Sequence, residues 1–213
     1  MSNKKLESID DVRYAQLGQE VDDFSFKAFV GGVNGKFEDL KLSDFRGKWT
    51  ILFFYPADFT FVCPTELTGV AREYTTLQNL GAEVLAVSSD SHFVHMMWQK
   101  YELSKMVEGG LPYPMVADDD GKMGRYFNVY NSASGKSYRG TFIIDPNGVL
   151  QSIEANLNNV GRNVKELVRK VQAFKYSREN GGAIPCEWEP GDEVLQEGEA
   201  LVGHVADTWK VKK

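Results

Sequence analysis

"WTILFFYPADFTFVCPTELTGVAREYTTLQNLGAEVLAVS" fills residues 49–88, and its hydrophobic pattern changes period twice. The first seven residues are an almost unbroken apolar and aromatic run, the signature of a buried strand. From about residue 63 to residue 80 the period becomes helical. Leu67, Val70, Tyr74 and Leu77 fall on one face, and Gly81 suits the stop. Residues 83–88 return to a short apolar strand. Strand, helix, strand at this spacing is a βαβ unit, which implies two parallel strands with a right-handed crossover.

The pattern extends in both directions. Upstream, residues 23–29 alternate weakly and Asn34-Gly35 supports a hairpin turn. Residues 1–20 are polar and read as chain laid over the surface. Downstream, Ser89, Asp90 and Ser91 offer an N-cap to a helix that carries Phe93, Met97 and Tyr101 on one face. Pro112, Pro114 and the acidic run 118–120 mark a loop. Residues 141–145 and 149–155 read as strands joined by the turn Asp145-Pro146-Asn147-Gly148. A last helix runs from about residue 162 to residue 176, with Val164, Val168, Val171 and Phe174 as its apolar stripe. The expected core is β-α-β-α-β-β-α behind a hairpin, an α/β thioredoxin-like sandwich. Breakers at Asn180-Gly181-Gly182, Pro185 and Pro190-Gly191 end the pattern. The expected division is therefore a domain over 1–176 and a C-terminal extension arm over 177–213.

Composition narrows the function classes. The chain has 213 residues, 42% hydrophobic and 25% charged, enough for one domain with a full core. Its net charge of −6 argues against a broad nucleic-acid footprint. The polar start MSNKKLESID lacks the apolar stretch of a secretory signal, and no run is long enough to span a bilayer. A soluble, cytoplasmic protein with no membrane contact is expected. Two cysteines far apart, Cys63 and Cys186, do not make a disulfide scaffold.

Cys63 is placed unusually. It follows a strand and a short loop and opens the helix, with Pro64 suited to the first turn. A helix N-terminus presents unpaired N–H groups and the positive end of the dipole, which favour an anion. Thr60 stands upstream with a hydroxyl, and Pro56 is positioned to shield the sulfur. Arg139 lies just before a core strand, where a guanidinium can donate to a sulfur or an oxygen without losing its proton. On position alone Cys63 reads either as a nucleophile or as a buried core cysteine. Thr60 reads equally as a loop cap, and Arg139 as a surface ion pair.

"FYPADFTFVCPTEL" (53–66) resembles the active-site motif of the typical two-cysteine peroxiredoxins, with Pro56, Thr60 and Cys63 in its Pro-x-x-x-Thr-x-x-Cys frame. The likeness continues through "VSSDSHFVHMMW" (87–98), "YRGTFIIDPNGVL" (138–150), "VGRNVKELVRKVQAF" (160–174) and "PCEWEPGD" (185–192). The alkyl hydroperoxide reductase C type is the branch it is similar to. The resemblance implies a peroxidase for hydrogen peroxide and alkyl hydroperoxides that needs no cofactor. Cys63 would be the peroxidatic thiol, oxidised to a sulfenic acid. Thr60 and Arg139 would hold the peroxide oxygens, and Pro56 would limit solvent access. Glu66 and Arg162 would form a polar network that orients Arg139. Cys186 would be the resolving thiol, attacking the Cys63 sulfenic acid of a partner chain in a homodimer. Thioredoxin or a flavoprotein disulfide reductase would restore the thiols, and dimers would assemble into rings of five.

Two departures stand out. The family's resolving motif is Val-Cys-Pro, whereas here Pro185 precedes Cys186. The Gly109-Gly110-Leu111-Pro112 stretch matches the overoxidation-prone pattern only in part, and the chain lacks the terminal Tyr-Phe helix. Low or intermediate sensitivity to overoxidation is the expectation. Three other readings compete. His92 and His95 suggest a metal site, but without closely spaced thiolates or histidines they read better as a capped, partly exposed helix start. A dithiol oxidoreductase would carry Cys-x-x-Cys, where this chain has Cys63-Pro64-Thr65-Glu66. A holdase role would coexist with peroxidase activity. Trp98, on the same helix as the histidines, reads as packing near the active site.

Overall fold

A computed structural model of the chain describes residues 13–210. The N-terminal stretch read as surface-lying chain falls in large part outside the described residues. β1 (Ser25–Val30) and β2 (Lys36–Lys41) form the antiparallel hairpin, joined by a 3-10 turn at Gly32–Asn34. β3 (Trp49–Phe54), α1 (Cys63–Asn79) and β4 (Ala82–Ser88) are the βαβ unit, with β3 and β4 parallel. α2 (His92–Trp98) continues through a π-turn at Gln99–Leu103 into a last α-turn, α3 (Ser104–Met106).

β5 (Met115–Ala117) follows, then α4 (Lys122–Tyr126) and a small ribbon of β6 (Tyr130–Asn131) and β7 (Lys136–Ser137). β8 (Arg139–Ile144) and β9 (Leu150–Asn156) pair antiparallel, and α5 (Val164–Asn180) closes the domain. α6 (Val205–Thr208) is a single turn near the C-terminus.

The strand order β2-β1-β5-β4-β3-β8-β9 puts β3 in the interior of a seven-stranded mixed sheet. Alternation along β3 divides the core between two faces. Trp49, Ile51 and Phe53 face α1 and α5, where they meet Leu67, Val70, Leu77, Leu167 and Val171. Leu52 and Phe54 face the other way, against Phe142, Met123 and Phe127. β3 therefore reads as continuously apolar because both of its sides are covered.

The structure amends the expected order in three places. β5 lies inside the stretch read as loop. At three residues, just after Pro114, it is too short to display a period, yet it pairs with both β4 and β1. Arg139 is the first residue of β8 rather than a residue before it, and α5 begins at Val164 and runs on to Asn180. Arg162 lies ahead of that helix, whose cap is Asn163, accepting from the N–H groups of Lys165 and Glu166.

The α2 segment is turned the other way from its expected stripe. Phe93, Met97 and Tyr101 are exposed, and the buried side carries His95, Trp98, Gln99 and Leu103. His95 is thus not a partly exposed helix start. Polar residues take this face because the core supplies their partners. Gln99 exchanges two hydrogen bonds with the backbone of Leu111, at 2.8 and 3.1 Å. A buried amide satisfied in this way costs little, so polarity alone misassigns the face.

The arm is irregular but anchored. Ala183 and Leu195 exchange two backbone hydrogen bonds, and the Trp188 side chain is buried with its ring 5.3 Å from Tyr176 of α5. Its indole N–H donates to the Asp192 carbonyl, and its own carbonyl accepts from Arg169 of α5. Among the described residues no helix is long and apolar enough to cross a membrane.

Because Trp188 is the buried side chain of the arm among its described residues, Trp188→Ala is expected to loosen the arm and spare the core. Truncating a packed tryptophan costs about 3–5 kcal/mol, and here that cost falls on a local opening. Proteinase K should remove the arm of the variant several-fold faster while the urea midpoint of the core stays close to the parent. Equal loss of both would contradict this account.

Candidate active site

Cys63 is the first residue of α1 and is buried. Val62 gives the helix no side-chain cap, and its carbonyl accepts from the N–H groups of Thr65 and Glu66, at 3.0 and 3.2 Å, and from the Thr65 hydroxyl at 2.6 Å. The loop from β3 approaches through Pro56, which is buried, and through Phe59, whose φ of 52° is left-handed and strained for an aromatic residue.

Glu66, one turn into α1, organises the charges around the sulfur. Its Oε1 accepts from Arg162 Nε at 2.9 Å and from the Arg162 backbone N–H at 2.8 Å. Its Oε2 accepts from Arg162 Nη2 at 3.0 Å and from Arg139 Nη1 at 2.6 Å. The three side chains are nearly inaccessible, at 2% for Glu66 and 3% for each arginine. Both carboxylate oxygens are therefore used, in charge-assisted and partly bidentate geometry.

The two arginines are held from their other sides as well. Arg162 donates to the Gly140 carbonyl and the Thr141 hydroxyl, and its guanidinium lies 3.4 Å over the Phe53 ring. Arg139 donates through Nε and Nη2 to the Asn158 carbonyl, at 3.0 and 2.6 Å. That leaves Arg139 Nη1 pointing between Glu66 and Cys63, with Sγ at 3.5 Å. One carboxylate and two guanidiniums sum to a surplus positive charge, and the sulfur faces it.

Burial pushes the Glu66 carboxyl up, but hydrogen bonds and charge from Arg162, and then the charge of Arg139, hold it below the ordinary glutamate value. The carboxylate is the form that both arginines require.

The structure thus brings Cys63, Arg139, Glu66 and Arg162 into one cluster, with Pro56 in the adjoining loop. Thr60 makes the contact of its alternative reading, a loop cap. Its hydroxyl donates to the Ala57 carbonyl at 2.8 Å, which closes the loop and spends its one proton. Its oxygen is left as an acceptor. Cys186 is exposed on the arm, and both cysteines are free thiols. Trp98 is fully buried, its ring 6.0 Å from those of Tyr55 and Phe59, so it packs against the loop as expected.

Two contributors escaped the sequence reading. The Asn158 carbonyl is a backbone group with no side-chain signature. Asp58 and His95 form a buried pair behind the loop, and the signal available for it was an acidic residue set between Ala57 and Phe59.

Comparison with known proteins adds an independent line. Residues 17–153 match the model of the AhpC/TSA family, and residues 173–201 match the C-terminal domain of 1-Cys peroxiredoxin. A selenocysteine-containing peroxiredoxin, PrxU, of Peptoclostridium acidaminophilum is 47% identical over 92% of this chain and 97% of its own. Alkyl hydroperoxide reductase C of Bacillus subtilis is 43% identical over 89% of this chain and 98% of its own. The crystal structure of a reduced Plasmodium vivax 2-Cys peroxiredoxin superposes with a TM-score of 0.83 at 29% identity, over 89% of this chain and 98% of that one. Enterococcus faecalis AhpC gives 0.74 at 42% identity, over 80% and 99%.

Glu66→Gln keeps the shape of the cluster and removes its only negative charge. Two buried guanidiniums are then uncompensated, and a loss of about 3–5 kcal/mol in urea unfolding at neutral pH is expected. The advantage of the ionised Glu66 is complete above the unfolded-state glutamate value of about 4.3 and disappears as pH falls through the lower folded value. The gap between parent and variant should therefore narrow below about pH 4. A gap independent of pH would contradict an ionic role.

Proposed function

The chain belongs to the AhpC/TSA family of thiol-dependent peroxidases, and on that footing we propose that Cys63 is its peroxidatic thiol and Cys186 its resolving thiol. The observation that carries the first assignment is the contact of Arg139 Nη1 with Cys63 Sγ inside the Glu66-centred cluster. The thiolate is the reactive form of a cysteine. It attacks the terminal peroxide oxygen, an S–O bond forms and the O–O bond breaks. The leaving hydroxide or alkoxide takes up a proton and departs as water or alcohol, and Cys63 is left as a sulfenic acid.

Arg139 donates to the oxygen on which charge develops, in a site where such donors act with little screening. Thr60 accepts from the peroxide hydroxyl, since its own proton is engaged with Ala57. Pro56 restricts water. Glu66 and Arg162 hold Arg139 in register.

The Cys186 thiol then attacks the Cys63 sulfenic acid, and a disulfide and water form. Cys63 is buried at the head of a helix while Cys186 sits exposed on an arm, so the step requires local opening of the first turn of α1 and of the arm. The exposed arm suits that demand, and the first turn must release the bonds that Thr65 and Glu66 make to the Val62 carbonyl.

The pairing is between chains. β9 is an edge strand, and beyond Leu150, which pairs with Gly18 and Gln19, its outer backbone groups suit pairing with a second copy. The exposed cluster of Phe37, Phe93, Met97 and Tyr101 supplies a second apolar face for joining dimers into a ring of five. Hydrogen peroxide and alkyl hydroperoxides are the substrates, and thioredoxin or a flavoprotein disulfide reductase is the reductant. The working division is a peroxidase domain over 1–176 and a resolving arm over 177–213, with the boundary in the last turn of α5. A cycle that returns both cysteines to thiols fits a reducing cytoplasm.

Rapid mixing of reduced protein with one equivalent of hydrogen peroxide tests the cysteine assignments. A fast tryptophan fluorescence change and a dimer-sized band on a non-reducing gel are expected, with the band absent in Cys63→Ser and in Cys186→Ser. Fast peroxide loss without the band would remove Cys186 from the mechanism. Arg139→Lys keeps the charge and loses the planar fork. Its second-order rate with peroxide should fall about a hundredfold, the scale for removing one donor aimed at developing charge. An unchanged rate would overturn the role of Arg139.

A further inference from the structure

Behind the loop that carries Pro56 and Thr60 lies a group of buried polar side chains that the chemistry above does not use. Asp58, in that loop, has Oδ2 at 2.8 Å from Nδ1 of His95 on α2, and both side chains are wholly buried. Its Oδ1 accepts from the Tyr55 hydroxyl at 2.7 Å. Its backbone N–H donates to Asp90 Oδ2 at 2.8 Å, and that same oxygen accepts from the Ser88 hydroxyl. On the far side of the imidazole, Nε2 faces the Val116 carbonyl of β5 at 3.2 Å. The loop is thereby tied through one residue to β3, to the end of β4, and through α2 to β5.

The proton count of this group follows from its geometry. A carbonyl oxygen has no proton to give, so Nε2 carries one. The second proton lies between Nδ1 and Asp58 Oδ2, while Oδ1 accepts from the Tyr55 hydroxyl. Tyr55 keeps its proton, because burial and then the charge of Asp58 push its hydroxyl well above the ordinary tyrosine value. Burial raises the Asp58 carboxyl above the ordinary aspartate value, against the opposing charge and hydrogen bond of His95. Removing either proton would set a lone pair against a lone pair in a buried site, which is costly.

The loop needs such a hold. Phe59, next to Asp58, has the left-handed φ of 52°, and the Thr60 hydroxyl is drawn back onto Ala57. A strained turn persists only where its surroundings over-determine it. Asp58 supplies three of the fixed points: both carboxylate oxygens and the backbone N–H.

We propose that the buried Asp58–His95 pair is a positioning device for peroxide reduction, locking the 56–62 loop so that Pro56 and Thr60 meet the peroxide at Cys63. This rests on Cys63 being the peroxidatic thiol. It adds that the loop geometry, and not only the sulfur and Arg139, sets the rate.

The test compares two reactions of Cys63 in a full-length Cys186→Ser background. One is with hydrogen peroxide, which needs the loop. The other is alkylation by iodoacetamide, which needs only an accessible thiolate. Asp58→Asn and His95→Gln should each slow the peroxide reaction by ~10- to 100-fold, the scale of a small misplacement of reacting groups, while alkylation stays within about threefold. Rates that fall together, or a peroxide rate that does not fall, would overturn the proposal. Failure of the underlying assignment looks different, because the Cys186→Ser parent would then react with peroxide no faster than a free thiol does. Nitrogen-15 NMR of the unsubstituted protein gives a readout that does not depend on the variants folding. The His95 Nε2 proton, buried and held by the Val116 carbonyl, should exchange slowly with water, and a fast-exchanging one would contradict the lock.

Discussion

One carboxylate holds the site together. Glu66 is buried with both oxygens occupied, and each of the two arginines it binds is fixed from its other side by backbone carbonyls. Taking three charges out of water is costly, and the attraction among them offsets that cost only when every lone pair and proton is matched. The Glu66 oxygens and the guanidinium donors named above are matched here. The arrangement serves stability less than placement. It delivers one guanidinium nitrogen to the sulfur at the head of α1 and keeps it there. That placement depends in turn on the sheet, because Arg139 opens β8, Phe53 of β3 lies under Arg162, and α1 starts where β3 ends.

Much of this was legible in the residues. The apolar run of β3, the four-residue stripe of α1 and the glycine after it determine the βαβ unit, and the position of Cys63 follows from their junction. Pro56, Thr60 and Arg139 were candidates by position and again by the family pattern, Glu66 and Arg162 by the pattern alone, and the structure gathers Arg139, Glu66 and Arg162 around the sulfur. What was not legible has physical reasons. β5 is three residues long and shows no period. The buried face of α2 is partly polar, so a reading that equates apolar with buried turned that helix the wrong way and placed His95 at the surface. The Asn158 carbonyl that clamps Arg139 is a backbone atom, common to every residue type. The direction of the Thr60 proton depends on where the Ala57 carbonyl lies, and the loop turn fixes that only in three dimensions.

The site is built to be firm in one respect and weak in another. The guanidinium cluster and the Asp58–His95 pair are dense in matched hydrogen bonds. The first turn of α1 has no side-chain cap at Val62 and no N–H at Pro64, and Phe61 before it is almost fully exposed. The arm with Cys186 has Trp188 as its buried side chain among the described residues. Segments that must open are drawn from the low-stability end of a structure, and the exposed arm with Cys186 has that character. The bonds from Thr65 and Glu66 to the Val62 carbonyl are what the first turn must release before a second thiol can reach the sulfur.

The central claim is that Cys63 is the sulfur that peroxide oxidises. The most direct measurement is dimedone trapping in Cys186→Ser protein treated with one equivalent of hydrogen peroxide, followed by peptide mass spectrometry. Dimedone reacts with a sulfenic acid and not with a thiol or a disulfide. The account predicts a near-stoichiometric adduct on the peptide containing Cys63, formed within the mixing time and lost when Arg139 is replaced by Lys and the mixture is stopped as early. Unmodified Cys63 under these conditions, or equally rapid labelling of Cys186 in a Cys63→Ser protein, would contradict it.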